Sequence, residues 1–469
     1  MNKNINNETN NNTTSTPVSE ATFAVFDKKR IIKISVIAIL VLSLVAGAIF
    51  AATMFLRGSS EVDTTLFGSS NLVAVKDGEL WGYVNKKGEM VIKPAFYYVG
   101  PFCDDIALVG NEYGEWGYID TKGNFIAEYQ YDYAENFSEG LGCVYKDGKN
   151  GFINQKGETV IAMEYEDAYP FTDGLAAVCN DDDKWGYINA KGEYIIKADY
   201  DSAEQFSNGY AEVSKDHKFG IVNTKGEVVV KLEYDAVYEV SEDLFVVNKD
   251  YEYGFVDIKG NEVIKPQYDM ATPFSCGLAM VIKDGDCCYI NKKGEMIISD
   301  DFETASVFTD GYAIVSKDDE YGLINKKGKY VIPLEYEDLK YSGKGYYSVL
   351  KDGWWGVVSI NNKEILEADY DNIGYVNMGL IPVEKGDDFA YFNKKGKFAI
   401  IDNYTSGTRF FDDGYAVVAN EDEKSLIINK SGKVIAGPYD NVYVGNEYCR
   451  NNACYKVSVM GGYCDEHMN

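Results

Sequence analysis

The chain has 469 residues and a formal net charge of −29, with 74 acidic residues against 45 basic ones. Such a charge repels the phosphates of nucleic acid, and it favours a soluble, self-repelling surface that would attract cations or basic polymers. The two histidines, His217 and His467, argue against histidine-based acid–base catalysis, whereas 38 tyrosines and 45 glycines suit many short strands joined by tight turns.

The first predicted segment is a tail at residues 1–30. Residues 1–22 are rich in Asn, Thr and Ser and have almost no large apolar side chains. Such a segment cannot bury enough apolar surface to offset its chain entropy, so it is predicted to be disordered.

Residues 31–57 are predicted to form a transmembrane helix. No charged residue occurs from Ile34 to Leu56, and about 20 apolar residues are enough to cross the hydrocarbon core. A cleaved signal peptide is the alternative, but its apolar region is usually only about 7–15 residues long. A buried core helix fits less well, because everything that follows is β-like.

Basic residues flank this segment unequally. Only Arg57 follows it, and four basic residues precede or begin it: Lys28, Lys29, Arg30 and Lys33. The positive-inside rule therefore predicts a cytoplasmic amino terminus and a single-pass protein of the cell membrane. After a linker at residues 58–70, the rest of the chain is expected outside the cytoplasm.

A repeat with a period of 34 to 36 residues occupies residues 71–447. Its most regular feature is the glycine of an Asn-x-Lys-Gly pattern, which is degenerate once near residues 359–363 and otherwise stands at Gly88, Gly123, Gly157, Gly192, Gly226, Gly260, Gly294, Gly328, Gly396 and Gly432. This spacing predicts about eleven tandem units of one repeat architecture.

One clean copy predicts three strands. Residues 174–180 form the first, and residues 184–189 form the second after a polar turn. Alternation places Trp185 and Tyr187 on one face and Gly186 on the other. Ala190-Lys191-Gly192 suits a three-residue hairpin loop, in which the last position favours Gly, and residues 193–197 follow as the third strand.

The sequence resembles the WG-repeat family of β repeats. The diagnostic pair stands at Trp81-Gly82, Trp116-Gly117, Trp185-Gly186 and Trp355-Gly356, in register with Asn-x-Lys-Gly. The resemblance implies an all-β repeat fold with a binding or scaffolding role, and it implies no catalytic residues. The aromatic ring of each pair is expected to pack between neighbouring copies. A role in sugar or peptide binding is the alternative.

A row of carboxylates follows the third strand of most copies. Each stands after Tyr or Phe, at Asp132, Glu166, Asp201, Asp235, Asp269, Glu303, Glu337, Asp371 and Asp440. These residues are interpreted as turn formers between copies, with cation binding as the alternative. None matches the spacing of a calcium loop.

The tail at residues 448–469 is predicted to bind zinc. Four residues of the ligand type occur in it, in the order Cys-x4-Cys-x9-Cys-x2-His: Cys449, Cys454, Cys464 and His467. Three thiolates and one imidazole would complete a tetrahedral, structural Zn²⁺ site. Labile thiols or a disulfide between two of the cysteines is the alternative. The other six cysteines have no regular spacing and are interpreted mostly as small core side chains.

Together these features predict an all-β array of about eleven repeats, each near 34 residues, in an open superhelical or propeller-like arrangement. The open form is preferred, since propellers usually have four to eight blades. The predicted function is a membrane-anchored, surface-displayed binding or scaffold module for a protein or a cell-wall polymer, and not an enzyme. A transmembrane sensing protein is the alternative, and a cell-wall hydrolase fits less well, because the carboxylates recur with the repeat instead of forming one catalytic pair.

Overall fold

The computed structural model describes residues 65–444 and, for the backbone alone, residues 447–450 and 453–456. The predicted tail and transmembrane helix lie outside this part, as does most of the predicted linker. Within the described part, no helix is long and apolar enough to cross a membrane.

Every described element is a β-strand, and the strands follow one another in a regular order. A complete repeat has a lead strand A followed by three longer strands B, C and D, all antiparallel. The Trp-Gly pair lies on strand C, and the Asn-x-Lys-Gly residues form the turn between strands C and D.

Repeats one to four contain the following strands: β1 (Leu72–Asp77), β2 (Leu80–Asn85) and β3 (Met90–Phe96); β4 (Tyr98–Cys103), β5 (Ile106–Gly110), β6 (Trp116–Asp120) and β7 (Phe125–Tyr131); β8 (Tyr133–Ala134), β9 (Leu141–Lys146), β10 (Lys149–Asn154) and β11 (Thr159–Tyr165); β12 (Asp167–Ala168), β13 (Ala176–Cys179), β14 (Trp185–Ile188) and β15 (Tyr194–Tyr200).

Repeats five to eight contain β16 (Ser202–Ala203), β17 (Tyr210–Lys215), β18 (Lys218–Asn223) and β19 (Val228–Tyr234); β20 (Ala236–Val237), β21 (Leu244–Lys249), β22 (Glu252–Asp257) and β23 (Glu262–Tyr268); β24 (Met270–Ala271), β25 (Leu278–Lys283), β26 (Asp286–Asn291) and β27 (Met296–Phe302); β28 (Thr304–Ala305), β29 (Tyr312–Lys317), β30 (Glu320–Asn325) and β31 (Tyr330–Tyr336).

The last repeats contain β32 (Asp338–Tyr341), β33 (Tyr346–Lys351), β34 (Trp354–Ser359) and β35 (Glu364–Tyr370); β36 (Asn372–Ile373), β37 (Leu380–Lys385), β38 (Asp388–Asn393) and β39 (Phe398–Gly407); β40 (Tyr415–Asn420), β41 (Ser425–Asn429) and β42 (Val434–Tyr439). Three short strands follow: β43 (Asn441–Val442), β44 (Glu447–Arg450) and β45 (Ala453–Lys456).

The predicted all-β repeat fold is confirmed, with two differences in detail. All described repeats except the eleventh have a fourth strand, the lead strand A, which is usually two residues long and too short to give an alternating pattern. In repeat eleven the end of β39 takes this place, so β36 to β42 form one seven-stranded sheet. Strand D also runs further than expected, so that β15 covers Tyr194–Tyr200 instead of residues 193–197.

The two ends of the array meet. β43, from the end of the array, pairs with β1 as the lead strand of repeat one, with Val442 opposite Val75. The N–H groups of Asp440 and Tyr443 also donate to the carbonyls of Lys76 and Ala74, at 2.8 and 2.9 Å. The sequence allowed a superhelical or a propeller-like arrangement, and this pairing corresponds to the propeller-like one.

The hydrophobic core lies between consecutive repeats, not inside any one of them. Residues of repeat four pack with those of repeat five in one cluster and with those of repeat three in another. A further cluster joins repeats eleven and one, through Ile427 and Ala436 on one side and Val73 and Val75 on the other. No repeat buries an apolar face alone, which explains why the sequence must be repeated.

The segment before β1 belongs to this closing cluster. Leu66 and Phe67, within the stretch interpreted as a linker, are buried. The Phe67 ring lies 4.9 Å from that of Tyr415, centroid to centroid. The Asp413 carboxylate accepts hydrogen bonds from the N–H groups of Leu66 and Phe67, at 3.3 and 3.2 Å. The first described residues of the chain therefore pack between repeats eleven and one.

Candidate binding surface

The glycine of the Trp-Gly pair is required by a close approach of two strands. At Gly186 a Cβ atom would lie 2.6 Å from the carbonyl oxygen of Ile196 and from the nitrogen of Ala198. Strand D bulges over strand C at this point, since Trp185 pairs with Tyr200 whereas Tyr187 pairs with Ile196. The pair thus marks a β-bulge, which any side chain at the second position would disturb.

The tryptophans are less central to the core than the sequence predicted. Trp81 is buried, but Trp116, Trp185 and Trp355 are only half-buried. The Trp185 ring stacks on Tyr169 of its own repeat, with centroids 5.4 Å apart and planes at 23°. The tryptophan therefore lies at the edge of the interface, and a different side chain occupies the most buried position.

That deepest position is the residue two places after the tryptophan. It is an aromatic side chain in seven repeats, and in five of them it is a tyrosine that is at most 1% exposed: Tyr83, Tyr118, Tyr187, Tyr289 and Tyr391. The hydroxyl of Tyr187 donates to the carbonyl oxygen of Glu204 in the next repeat at 2.7 Å. Burial raises the pKa of Tyr187 well above its usual range, so the hydroxyl remains a donor.

These side chains pack on a phenylalanine of the next repeat, which lies in the loop between strands A and B or, for Phe102, on strand A. The Tyr187 and Phe206 rings lie 4.7 Å apart, and Phe152 and Phe171 lie 4.9 Å apart. The two partners are always 19 residues apart in the sequence. That recurring spacing was the signal from which the interface could have been found.

The Asn-x-Lys-Gly pattern is a turn held by its own side chains. The Asn189 carboxamide oxygen accepts from the N–H groups of Lys191 and Glu193, and its nitrogen donates to the Glu193 carboxylate at 2.8 Å. In repeat two the partners are exchanged, because Asp120 accepts from the Asn124 side chain at 2.9 Å. The oxygen that accepts the two backbone N–H groups is the shared feature, since Asn325 and Asn393 accept them with a lysine four residues later.

The row of carboxylates serves turns as well. The Asp201 carboxylate accepts from the N–H of Asp216 at 2.7 Å and pairs with Lys184 at 2.6 Å. Lys184 and that N–H hold the pKa of Asp201 below its usual range. Asp132, Asp235, Glu303, Asp371 and Asp440 accept equivalent backbone N–H groups. These bonds support the interpretation as turn residues.

The interface between repeats nine and ten lacks the aromatic pair, as do those in which Ile221 and Leu323 take the deepest position. The large aromatic pair is replaced here by the smaller Val357 and Val376, which pack in the same cluster. A cavity of about 130 Å³ remains between the two repeats, lined by Lys340, Tyr341, Ser342, Ser348, Trp355 and residues 372–375. Neither valine lines the cavity, which therefore lies beside this pair.

The walls of this cavity combine aromatic and polar groups. The Lys340 ammonium lies 4.0 Å from the centroid of the Trp355 ring, and the Tyr341 and Tyr375 rings lie 6.2 Å apart. The Tyr341 hydroxyl donates to the Asp310 carboxylate at 2.8 Å, and the hydroxyls of Ser342 and Ser348 are 2.5 Å apart. Flat rings beside fixed hydroxyl groups are typical of a site that orients a small polar ligand.

The predicted metal site lies almost wholly outside the described residues. Cys464 and His467 are not described, and Cys449 and Cys454 are described only through the backbone of β44 and β45, where they face each other. No group of three or more His, Cys, Asp or Glu side chains in the described part is arranged to hold a metal ion. Of the remaining cysteines, Cys143, Cys179, Cys287 and Cys288 are buried, as expected for core side chains.

Comparison with known proteins agrees with this repeat. The family described as "WG containing repeat" matches nine consecutive segments between residues 81 and 387. No curated protein matches the chain.

Solved structures share a distant likeness. A eukaryotic initiation factor is 11% identical, covers 79% of this chain and 96% of its own, and superimposes with a TM-score of 0.40. BamB from Moraxella catarrhalis is also 11% identical, covers 55% of this chain and 88% of its own, and has a TM-score of 0.27. At such scores these structures carry no argument about function. The family matches well over half of the residues of this chain, which therefore belongs to the WG containing repeat family.

Proposed function

We propose that the protein is a single-pass membrane protein whose repeat array is displayed outside the cytoplasm as a binding or scaffold module. The observation that carries the proposal is the cavity at repeats nine and ten. Elsewhere the characteristic side chains of the repeat are engaged in turns and interfaces, but there Trp355, Tyr341 and Tyr375 line open space. We therefore place the binding site of a specific ligand at this cavity.

The ligand we propose is one group of a larger partner, either a sugar unit of a cell-wall polymer or a side chain of a surface protein. About 130 Å³ is too small for a whole macromolecule, and aromatic rings next to hydroxyls suit either group. The proposed role is binding and not catalysis, because the carboxylates that recur with the repeat are held in turns and ion pairs.

Binding by variants of the full-length protein tests this proposal. Trp355→Ala and Tyr341→Ala should each weaken retention on purified cell-wall glycan, or capture of a surface protein, by at least about tenfold, as for other buried aromatic contacts. Tyr253→Ala is the matched control, since Tyr253 occupies the Trp-Gly position of repeat six and stacks on Tyr238. Binding that persists in both cavity variants, or that is lost equally in the control, would contradict this site.

Two parts of the proposal concern residues at the ends of the chain. The anchor is proposed at residues 31–57, with the amino terminus cytoplasmic, and protease added to intact cells should then digest the repeats. A structural Zn²⁺ site is proposed at Cys449, Cys454, Cys464 and His467. The facing positions of Cys449 and Cys454 suit two thiolate ligands and also a disulfide. Metal analysis of the reduced protein should find about one zinc per chain, which Cys464→Ser should abolish.

A further inference from the structure

The array has two ends with different loops. In an antiparallel sheet, the A–B loop and the C–D turn lie at the same end of the strands. Contacts between repeats confirm this, since Lys292 in a C–D turn pairs with Glu242 in an A–B loop at 3.2 Å, and Lys86 pairs with Asp413 at 3.7 Å. We call this the Asn-x-Lys-Gly end of the array.

Charge is distributed unequally around that end. The A–B loops and C–D turns of repeats seven to eleven and one, here called the basic arc, contain fifteen basic residues: Lys86, Lys87, Lys292, Lys293, Lys326, Lys327, Lys329, Lys344, Lys363, Lys394, Lys395, Lys397, Arg409, Lys430 and Lys433. The same loops contain five acidic residues: Glu89, Glu295, Asp310, Asp412 and Asp413.

The remaining five repeats have the opposite balance. Their A–B loops and C–D turns, the acidic arc, contain five lysines, Lys122, Lys156, Lys191, Lys225 and Lys259, and twelve acidic residues: Asp104, Asp105, Glu135, Glu139, Glu158, Asp173, Glu193, Glu204, Glu227, Glu239, Glu242 and Asp243. A chain with a net charge of −29 thus concentrates a positive surface on one half of one end.

Four lysines of the basic arc are available to a partner. Lys327, Lys329, Lys395 and Lys397 are exposed. Within the described part of the chain, none of the four takes part in an ion pair. Solvated ammonium groups in such a cluster attract a surface of opposite charge.

The chain enters the array at this same arc. Leu66 and Phe67 are bound by Asp413 in repeat eleven, and the Lys86 ammonium lies 5.9 Å from the centroid of the Phe67 ring. Only eight residues separate Arg57 from Leu66, so an extended chain between them spans at most about 30 Å. A membrane anchor ending at Arg57 would thus keep the entry point close to the bilayer.

We infer that the basic arc docks on the anionic phosphate head groups of the bilayer that holds the anchor, which rests on the proposed membrane anchoring. Charge complementarity and the short connection both favour the lipid surface as the partner. The acidic arc is repelled from such a surface, so the array would be held in one orientation. The attraction acts over about 8 Å at physiological salt, so it should weaken when salt is added.

Lysine reactivity in the full-length protein tests this orientation. The protein is reconstituted into nanodiscs of phosphatidylglycerol or of phosphatidylcholine and treated with an amine-acylating reagent, and each lysine is quantified by mass spectrometry. In the anionic discs Lys327, Lys329, Lys395 and Lys397 should react severalfold more slowly, and 1 M salt should abolish the difference. Lys156, Lys191 and Lys225 of the acidic arc are internal controls and should react equally in both lipids.

Charge reversal provides the matched variants. Lys327→Glu combined with Lys329→Glu, Lys395→Glu and Lys397→Glu should remove the protection of Lys293 and Lys430, whereas Lys156→Glu combined with Lys191→Glu and Lys225→Glu should leave it unchanged. Equal reactivity in the two lipids, or equal protection of both arcs, would overturn the docking surface. Protection by soluble polyphosphate without protection by anionic lipid would also overturn it, because the partner would then be a different polyanion.

Failure of the anchoring gives a different result. An anchored protein stays with the lipid in 1 M salt and at alkaline pH, whether or not the basic arc docks. If the protein leaves the lipid under those conditions, the proposed membrane anchor is contradicted. Flotation with anionic vesicles at low salt then measures the binding of the basic arc alone. Wild-type protein that fails to float, or that floats no better than the basic-arc variant, would overturn the docking surface in that case too.

Discussion

At the scale of single residues, Tyr187 and Trp185 have different roles although they lie two places apart on one strand. Tyr187 is 0% exposed and donates across the interface to Glu204, whereas Trp185 is half-buried. Tyr187→Ala should therefore destabilise repeats four and five by about 3–5 kcal/mol, as for other fully buried aromatic rings. Trp185→Ala should cost clearly less.

Tyr187→Phe isolates the hydroxyl. It removes the donor to the carbonyl oxygen of Glu204, which should cost about 0.5–1.5 kcal/mol. Hydrogen exchange of the backbone amides in repeats four and five would measure all three variants. Equal losses of protection in Trp185→Ala and Tyr187→Ala would contradict this ranking.

A second residue-scale prediction concerns Glu212 at the interface of repeats five and six. Burial, followed by the nearby Glu204 carboxylate, raises the pKa of Glu212 to about 7, and the backbone N–H of Val237 offsets this in part. In an unfolded chain glutamate titrates near pH ~4.3. Between these values the folded protein binds more protons than the unfolded one, so stability should fall as the pH rises through this window.

Glu212→Gln removes the titrating group and should flatten that dependence. Thermal unfolding at pH 5 and pH 8 measures it, and the wild type should lose more stability between the two values than the variant. Glu193→Gln is a suitable control, because Glu193 lies in an exposed turn. An identical pH dependence of wild type and Glu212→Gln would contradict the prediction.

At the scale of the element, strand D bulges over strand C because the second residue of the Trp-Gly pair, a glycine, has no side chain. Gly186→Ala places a methyl group 2.6 Å from backbone atoms of β15, so it should destabilise repeat four by about 1–3 kcal/mol. Gly174→Asn is the control, since a Cβ at Gly174 meets no atom within 4 Å and asparagine tolerates its positive φ.

Two natural repeats show how this bulge adapts. Ala390 and Cys288 occupy the glycine position in repeats ten and seven, and there the residue forms an additional pair with strand D, with Ile401 and Ser299 respectively. If Gly186→Ala leaves the exchange of amides in β14 and β15 unchanged, then strand D can shift in the same way in repeat four. The close approach would not then explain why glycine is needed.

At the scale of the whole molecule, the array is closed by contacts between its first and last repeats. Phe67, which is 0% exposed, lies at this junction with Tyr415 and the β1–β43 pair. Phe67→Ala should cost about 3–5 kcal/mol, and the loss of protection should be confined to repeats eleven and one.

Phe255→Ala is the matched variant, because Phe255 is equally buried but lies between repeats six and seven. Hydrogen exchange should then show a loss of protection in those two repeats and unchanged protection at the junction. Loss of protection spread evenly through all repeats in both variants would mean that the array unfolds as one unit, and that the junction has no separate stability.

The sequence by itself determined the local structure. The Asn-x-Lys-Gly turn, the alternation on strand C and the number of repeats could all be predicted, because each depends on residues a few positions apart. The bonds from Asn189 to Glu193 are an example of such local chemistry. The acidic residues were also interpreted as turn formers between copies, and Asp201 binds Asp216 of repeat five and Lys184 of repeat four.

Only the tertiary structure decided how the repeats combine. The meeting of β1 and β43 depends on a small rotation between neighbours that accumulates around the array, and side-chain packing sets that rotation. The cavity beside Trp355 likewise forms where residues of repeat nine meet residues 372–375 of repeat ten. Lys86 and Lys87 join the basic arc because repeat one lies next to repeat eleven. Such features join residues that are far apart in the sequence, and no local pattern specifies their distance.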